Sequence, residues 1–244
     1  MHELQTHERA SFLTLTYDDD HVPKDGSLNV KHFQDFMKRL RRGCSSPLRF
    51  FHCGEYGEEN ARPHYHCILF GEDFMSDRVP YKKTPLGHQI YVSPRLSEVW
   101  GNGALEQQHI GDVTFESAAY VARYCLKKIT GPSAQEHYQG RKPEYVTMSR
   151  RPGIGAHWYS RFSKEVYPSD SVVLRRKNSC IEMRPPDFYD KLLEKADPKL
   201  FAQIKRERSV AATEAANHPD QRSRRLLDRE AVKKATIDQT LKRS

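Results

Sequence analysis

Residues 62–71, RPHYHCILFG, contain two histidines at the start of a run of apolar residues. Such a run, bounded by polar segments, is typical of a strand that enters a hydrophobic core. Because side chains alternate along a strand, His64 and His66 lie on one face, while Tyr65 and Cys67 lie on the other and are expected in the core. The two imidazoles are therefore either ordinary polar residues on a sheet surface or side chains that converge on a shared ligand.

The neighbouring segments predict an α+β fold. Residues 12–17 (FLTLTY) and 48–57 (LRFFHCGEYG) are rich in β-branched and aromatic residues, so we expect strands there. Asn29 is the expected N-cap of a helix, and residues 116–129 carry apolar residues at helical spacing. Residues 131–156 are rich in Gly, Pro and basic residues and are expected to form a surface loop.

The composition changes near residue 185. From there to residue 244 there are no glycines, and Leu, Ala and charged residues dominate. This composition favours helices. We therefore expect a domain of residues 1–175 followed by a charged, helical C-terminal extension of residues 176–244.

The overall charge favours a polyanionic partner. The chain has 40 Lys and Arg against 32 Asp and Glu, a net charge of +8, which is typical of proteins that bind nucleic acid. Its five cysteines form no Cys-x-x-Cys pair, which argues against a disulfide framework and a zinc ribbon. No segment approaches the length of an apolar membrane span, and the first residues contain no apolar signal core. We expect a reduced, soluble, cytoplasmic protein with no membrane partner.

Glu55 adds a carboxylate to the histidine pair. It lies on the strand before RPHYHCILFG, and a hairpin between the two strands would bring it beside His64 and His66. Two neutral nitrogens and one carboxylate leave open positions on a divalent ion, and this set suits Mg²⁺ or Mn²⁺ in phosphoryl chemistry, with zinc also chemically possible. Because the chain has 12 histidines, a His-x-His pair can also arise by chance, and alone it does not establish a metal site.

Tyr120 and Tyr124 lie four residues apart, so their hydroxyls emerge on one face of the predicted helix. A tyrosine oxygen can attack phosphorus and form a covalent ester when nearby positive charge stabilises the phenolate. Lys127 lies on nearly the same face, and Arg123 and Lys128 are close to it. The alternative is that the tyrosines pack one helix face and the cations belong to a solvated helix end.

In this order, the strand FLTLTY, the strand RPHYHCILFG and the helix YVARYCLKK resemble the three motifs of HUH endonucleases, which initiate rolling-circle replication. The segments GEYG, PHYH, YVARY with its lysine pair, and MSRRPGIG together resemble the replication initiators of gokushoviruses, which are single-stranded-DNA bacteriophages of the microvirus type. The resemblance extends from about residue 12 to residue 158. It implies an HUH endonuclease domain within residues 1–175, with an antiparallel sheet of about five strands flanked by helices.

The resemblance also implies roles for individual side chains. His64 and His66 would bind the metal with Glu55 as the third ligand, and Glu58 or Glu59 could replace Glu55. One tyrosine of the pair would attack the scissile phosphate, leaving a 5′-phosphotyrosine and a free 3′-hydroxyl that primes synthesis. The second tyrosine would cleave the regenerated origin, and the reverse reaction would close the circle without ATP.

The implied partner is viral origin DNA, single-stranded or as a nicked duplex, in the cytoplasm of the bacterial host. Lys127 matches the lysine that follows the tyrosine motif, and Arg123, Lys128, Arg150 and Arg151 are candidates for contact with the DNA. Whether host helicase and replication machinery also bind stays open. So do three alternatives: a relaxase- or transposase-type HUH nuclease, a metal-dependent nuclease that uses water beside structural tyrosines, and a non-enzymatic DNA-binding protein.

Overall fold

An antiparallel sheet forms the centre of the larger of two compact units in this chain. The computed structural model describes residues 1–57, 60–85, 87–175 and 179–242, and only the backbone of residues 124–127 and 240–242. The larger unit is built mainly from Met1–Phe162, and the smaller one from Ser163–Arg175 and Cys180–Ser244. The division into domains at residue 175 stays a prediction.

Seven strands make up this sheet within the described residues. In chain order they are β1 (Ala10–Thr16), β2 (Arg49–Tyr56), β3 (Pro63–Phe70), β4 (Val79–Lys83), β5 (Gln89–Val92), β6 (Gln108–Gly111) and β7 (Tyr145–Met148). Their order across the sheet is β4-β5-β6-β1-β3-β2-β7, and every neighbouring pair is antiparallel. The α+β prediction is confirmed, and the sheet is two strands wider than the expected five.

Five helices accompany this sheet in the described part of the larger unit. They are α1 (Val30–Arg42), α2 (Pro94–Trp100), α3 (Phe115–Lys127), α4 (Ser133–Tyr138) and α5 (Ala156–Val166), the last of which continues into the smaller unit. The predicted N-cap of α1 is confirmed, because the Asn29 side chain accepts a hydrogen bond from the backbone N–H of Lys31 at 3.1 Å.

The main hydrophobic core lies on one face of the sheet, beneath α1 and α2. There Phe36 of α1 and Trp100 of α2 pack against Leu13 and Leu15 of β1 and against Tyr65 of β3, all completely buried. Alternation along β3 places Tyr65 in this core, as the sequence predicted. The neighbouring histidines are consequently directed to the opposite face.

The opposite face of β2 and β3 is covered by α3. Val121 of α3 packs in a smaller cluster with Cys53 of β2 and with Ile68 and Phe70 of β3. This cluster holds the N-terminal part of α3 against the same face that carries the two histidines. The apolar end of RPHYHCILFG therefore anchors both its strand and the tyrosine helix.

One expectation about the fold is wrong. Residues 131–156 were expected to form a surface loop, but they contain α4 and β7. β7 forms the sheet edge and pairs with β2 from Gly54 to Phe51. Its four residues carry a weak strand signal on their own, and the backbone groups of the longer neighbouring strand supply the hydrogen-bond partners that make them a strand.

The smaller unit contains a short hairpin followed by helices, as the composition after residue 185 predicts. Its described elements are β8 (Val172–Arg175), β9 (Cys180–Met183), α6 (Asp187–Ala196), α7 (Pro198–Ala216) and α8 (Ser223–Lys242). Arg208 of α7 bonds the carboxylates of Asp170 and Asp190, with the shortest contacts at 2.6 Å. Among the helices that the structure describes, none is long and apolar enough to span a bilayer.

Candidate active site

The hairpin of β2 and β3 positions the three predicted metal ligands. In its register Glu55 pairs with His64, and Cys53 pairs with His66. Residues directly opposite each other in an antiparallel pair share a face of the sheet. Glu55 therefore lies on the histidine face, beneath α3.

The ligand atoms of Glu55, His64 and His66 lie within 4.8 Å of one another. The Nε2 atom of His66 is 3.0 Å from Oε1 of Glu55, and Nε2 of His64 contacts the same oxygen. Glu55 and His66 are buried, with 4% and 6% of their surfaces exposed, while His64 is half-buried. The structure thus brings together the three residues predicted as ligands, whereas Glu58 and Glu59 lie outside the described residues.

The other nitrogen of each imidazole is held from behind. Nδ1 of His64 lies 3.1 Å from the backbone carbonyl oxygen of Arg62, which can only accept, so this nitrogen carries a proton. Nδ1 of His66 lies 3.1 Å from the hydroxyl of Thr14 on β1. This is the usual arrangement around metal-binding histidines, in which a partner of the outer nitrogen fixes the ring and leaves the inner nitrogen free for the metal.

The charge at this point fits a cation. Burial alone would raise the pKa of Glu55, but hydrogen bonds with His64 and His66 and the charge of the two rings lower it to about 2, so the carboxylate is ionised. In a neutral His64 ring with the proton on Nδ1, the Nε2 lone pair faces this anionic oxygen, which is repulsive unless a positive charge lies between them. The second oxygen of Glu55 is buried without a hydrogen-bond partner among the described residues. The triad can therefore hold a divalent metal ion.

The tyrosine helix begins beside this triad. The Thr114 hydroxyl accepts from the backbone N–H of Ser117, and the Ser117 hydroxyl accepts from that of Thr114, which fixes the start of α3. Further along the helix, the half-buried ring of Tyr120 meets His66 edge to face, with ring centroids 5.2 Å apart. Tyr124 and Lys127 belong to the same helix, but their side chains lie outside the described residues.

Comparison with known proteins agrees with this combination of strand and helix. Residues 10–129 match the family model for the replication-associated protein of the ORF2 type, a range that includes the triad and both tyrosines. This region of the chain belongs to the ORF2-type replication-associated protein family. The predicted resemblance to replication proteins of small phages is thereby confirmed.

Three curated phage proteins illustrate the relationship. The chain is 37% identical to the replication-associated protein VP4 of Bdellovibrio phage phiMH2K, over 71% of this chain and 55% of the relative. It is 30% identical to the replication-associated protein ORF2 of Spiroplasma virus 4, with 75% and 58% covered, and 31% identical to the replication-associated protein ORF4 of Chlamydia phage 1, with 70% and 44% covered. The chain spans about half the length of these relatives. No solved structure matches it.

The predicted DNA-contacting cations are spread around the region of the family match and beyond it. Arg123 on α3 is half-buried, and Lys128 is exposed where that helix ends. Arg150 and Arg151 are exposed on the loop between β7 and α5, past the end of the family match. These four residues do not converge on the triad as a single cluster, and their contact with DNA stays a prediction.

Two supporting groups were not found from the sequence. Thr14 contacts His66, and its position on the same face is readable only when β1 is known to pair with β3. The second group is a buried pair of Glu3 and Arg49. Arg49 also donates to the carbonyl oxygens of Pro152 and Gly153, both at 2.9 Å, so the pair anchors the loop that carries the exposed arginines.

Proposed function

We propose that this chain initiates replication of a small phage genome by nicking and rejoining single-stranded origin DNA through a tyrosine. The observation that carries the proposal is the convergence of His64 and His66 on one oxygen of Glu55, with the ring of Tyr120 against His66. Three phage relatives named as replication-associated proteins support the biological setting. We place this activity in the host cell's cytoplasm, where the phage DNA is copied.

The triad supplies a site for Mg²⁺ or Mn²⁺, the ions used most often in phosphoryl chemistry. When bound, such an ion polarises a phosphate oxygen and offsets negative charge that develops on it. Glu55 contributes the charge, and the two imidazoles contribute neutral nitrogens whose rings are fixed by Thr14 and by the carbonyl of Arg62. These fixed rings position the phosphate beside α3.

The tyrosine performs the covalent step. The phenol oxygen of Tyr120 or Tyr124 bonds to phosphorus while the bond from phosphorus to the 3′-oxygen breaks, and the phenol proton is passed to that leaving oxygen. The products are a 5′-phosphotyrosine and a free 3′-hydroxyl. The reverse attack by a 3′-hydroxyl restores the tyrosine and rejoins the strand. Lys127 and Arg123, on the same helix, are proposed to neutralise the phosphate during these steps.

The test is to trap the covalent product. The full chain is incubated with Mn²⁺ and a pool of random-sequence single-stranded DNA labelled at the 3′ end, and adducts are separated on a denaturing gel. We expect labelled protein, because the fragment on the 3′ side of the nick stays bound to tyrosine. Sequencing of the captured DNA should then give the recognition site.

The variants separate this mechanism from its rivals. Replacing both Tyr120 and Tyr124 by Phe should reduce the adduct to background, and His66→Ala should do the same. Tyr91→Phe, which removes a hydroxyl from the opposite face of the sheet, is the matched control and should label normally. A wild-type yield of adduct in the double variant would refute the tyrosine mechanism. Cleavage without any adduct in the wild type would instead favour a nuclease that uses water.

A further inference from the structure

The face that carries the triad continues across the sheet towards β4. Thr14 of β1 pairs with His66 on one side and with His109 of β6 on the other. Directly paired residues share a face, so His66, Thr14 and His109 form one row across three strands. At about 4.8 Å per strand, His109 lies roughly 10 Å from His66.

An exposed tyrosine extends this row. The ring of Tyr81 on β4 stacks on His109 with centroids 5.8 Å apart and an angle of 28° between the rings. The pairing of β4 with β5 shifts register between Pro80 and Lys82, which leaves Tyr81 as the extra residue of a β-bulge. Bulges of this kind occur at sheet edges and redirect side chains, and here the side chain is directed onto the triad face.

A lysine accompanies the tyrosine. Lys82 lies 5.3 Å from the centre of the Tyr81 ring and pairs with Ile90, which faces the same side as His109 because its neighbour Tyr91 pairs with Ile110. Lys83 is the next residue, so it faces the other side. This part of the chain is strictly basic, since residues 78–97 contain four Lys and Arg and no Asp or Glu.

This half of the face is accessible. α3 packs over β2, β3 and β7, whereas the β4 strand is exposed along its whole length and 45% of the Tyr81 surface is open to solvent. His109 is half-buried, and burial followed by the charge of Lys82 lowers the pKa of its imidazole. A neutral ring beside an exposed tyrosine offers flat surfaces on which a base can stack.

We propose that Tyr81 and His109, with Lys82 beside them, form a stacking site for bases of single-stranded DNA that leads to the triad. This inference rests on the proposed function, since it gives the DNA strand of that reaction a path across the sheet. Aromatic rings bind bases of any sequence through their faces, and a flanking lysine meets the phosphate. Duplex DNA fits poorly because its bases are already stacked on one another.

The experiment measures binding of the full chain to a short fluorescein-labelled oligothymidine by fluorescence anisotropy, in EDTA so that no cleavage occurs. Tyr81→Ala should weaken binding about tenfold, within the range known for the loss of one base stack. Tyr81→Phe keeps the ring and should bind like the wild type. Binding of a blunt duplex of equal length should not depend on Tyr81.

The two lysines give a matched pair of controls on one strand. Lys82→Ala should reduce the slope of log affinity against log salt by about 0.7, the value for one lost phosphate contact with a single strand. Lys83→Ala removes the same charge from the other side and should leave the slope nearly unchanged. Equal slopes for both variants, unchanged binding by Tyr81→Ala, or equal losses for Tyr81→Ala and Tyr81→Phe would each overturn the stacking site.

This measurement is independent of the chemistry at the tyrosine helix. If no covalent adduct forms while oligothymidine binding still depends on Tyr81, the nicking mechanism fails and the stacking site stands. If the adduct forms normally and binding does not depend on Tyr81, the stacking site alone is refuted. Thermal unfolding of each variant verifies that the exposed edge strand has not altered the fold.

Discussion

The two histidines of the triad are held by different kinds of partner. His64 is fixed by a backbone carbonyl, which no substitution at Arg62 removes directly, while His66 depends on the side chain of Thr14. Partners of the outer nitrogen of a ligating histidine typically contribute about 10- to 100-fold to metal affinity. Only one of the two can therefore be tested by a conservative mutation.

We expect Thr14→Val to weaken Mn²⁺ binding by about tenfold, because the shape is kept while the hydroxyl that orients His66 is lost. Calorimetric titration of the full chain with Mn²⁺ measures this. The matched control is Thr16→Val, which lies on the same strand and face opposite His64, whose ring is held by a carbonyl instead. Equal affinities in the two variants would show that Thr14 does not position the ligand.

The triad could be predicted from the sequence because its geometry is local. A strand period of two places His64 and His66 together, and a hairpin brings Glu55 to them across nine residues. Thr14 could not be predicted, since it depends on which strand pairs with β3 along its other edge. Glu3 lies 152 residues from Gly155, whose backbone N–H donates to its carboxylate, and no local pattern indicates such a contact.

Among the elements, those with strong internal patterns were predictable and those defined by their neighbours were not. The helix α1 has a cap and an apolar stripe, and β2 and β3 are long apolar strands, so their positions follow from composition. β7 and α4 are short and lie in a segment rich in Gly, Pro and basic residues. What holds the loop after β7 is the contact of Arg49 and Glu3 with its backbone, which only the folded chain contains.

This anchor makes a prediction about the stability of that loop. Glu3 and Arg49 are 1% and 8% exposed, and breaking a buried ion pair costs about 3 kcal/mol. We expect Glu3→Gln to lower the free energy of unfolding by about that amount in urea and to speed amide exchange at Gly155. Glu8→Gln, an exposed change nearby, should have little effect. Unchanged exchange at Gly155 in the Glu3 variant would exclude the anchoring role.

For the whole molecule, strand order was the main feature that the sequence did not reveal. The order places β1 between β3 and β6, so Thr14 is in contact range of both the triad and His109. The proposed active site and the proposed stacking site are joined only because of that topology. Long-range pairing of this kind follows from the burial of both faces of the central strands, a property of the complete sheet.

The smaller unit has its own buried charge network, which predicts how it responds to acid. Burial alone would raise the pKa of Asp190, but hydrogen bonds from Arg208 and Arg184 and the charge of Arg208 lower it. A group whose pKa is lower in the folded state contributes stability above its unfolded pKa, about 3.9 for aspartate, and this contribution is lost as pH falls below that value. The helices α6 and α7 should therefore open more readily in acid.

We expect Asp190→Asn to destabilise α6 and α7 at neutral pH by about 3 kcal/mol, since it leaves the Arg208 network with one carboxylate fewer. The variant should also lose the acid-dependent part of the stability. Hydrogen exchange of these helices across the range from neutral to acid pH measures both effects. Asp187→Asn on the same helix is the control, because its carboxylate is 87% exposed. If both variants follow the same pH profile, Asp190 is not the group whose protonation opens this unit.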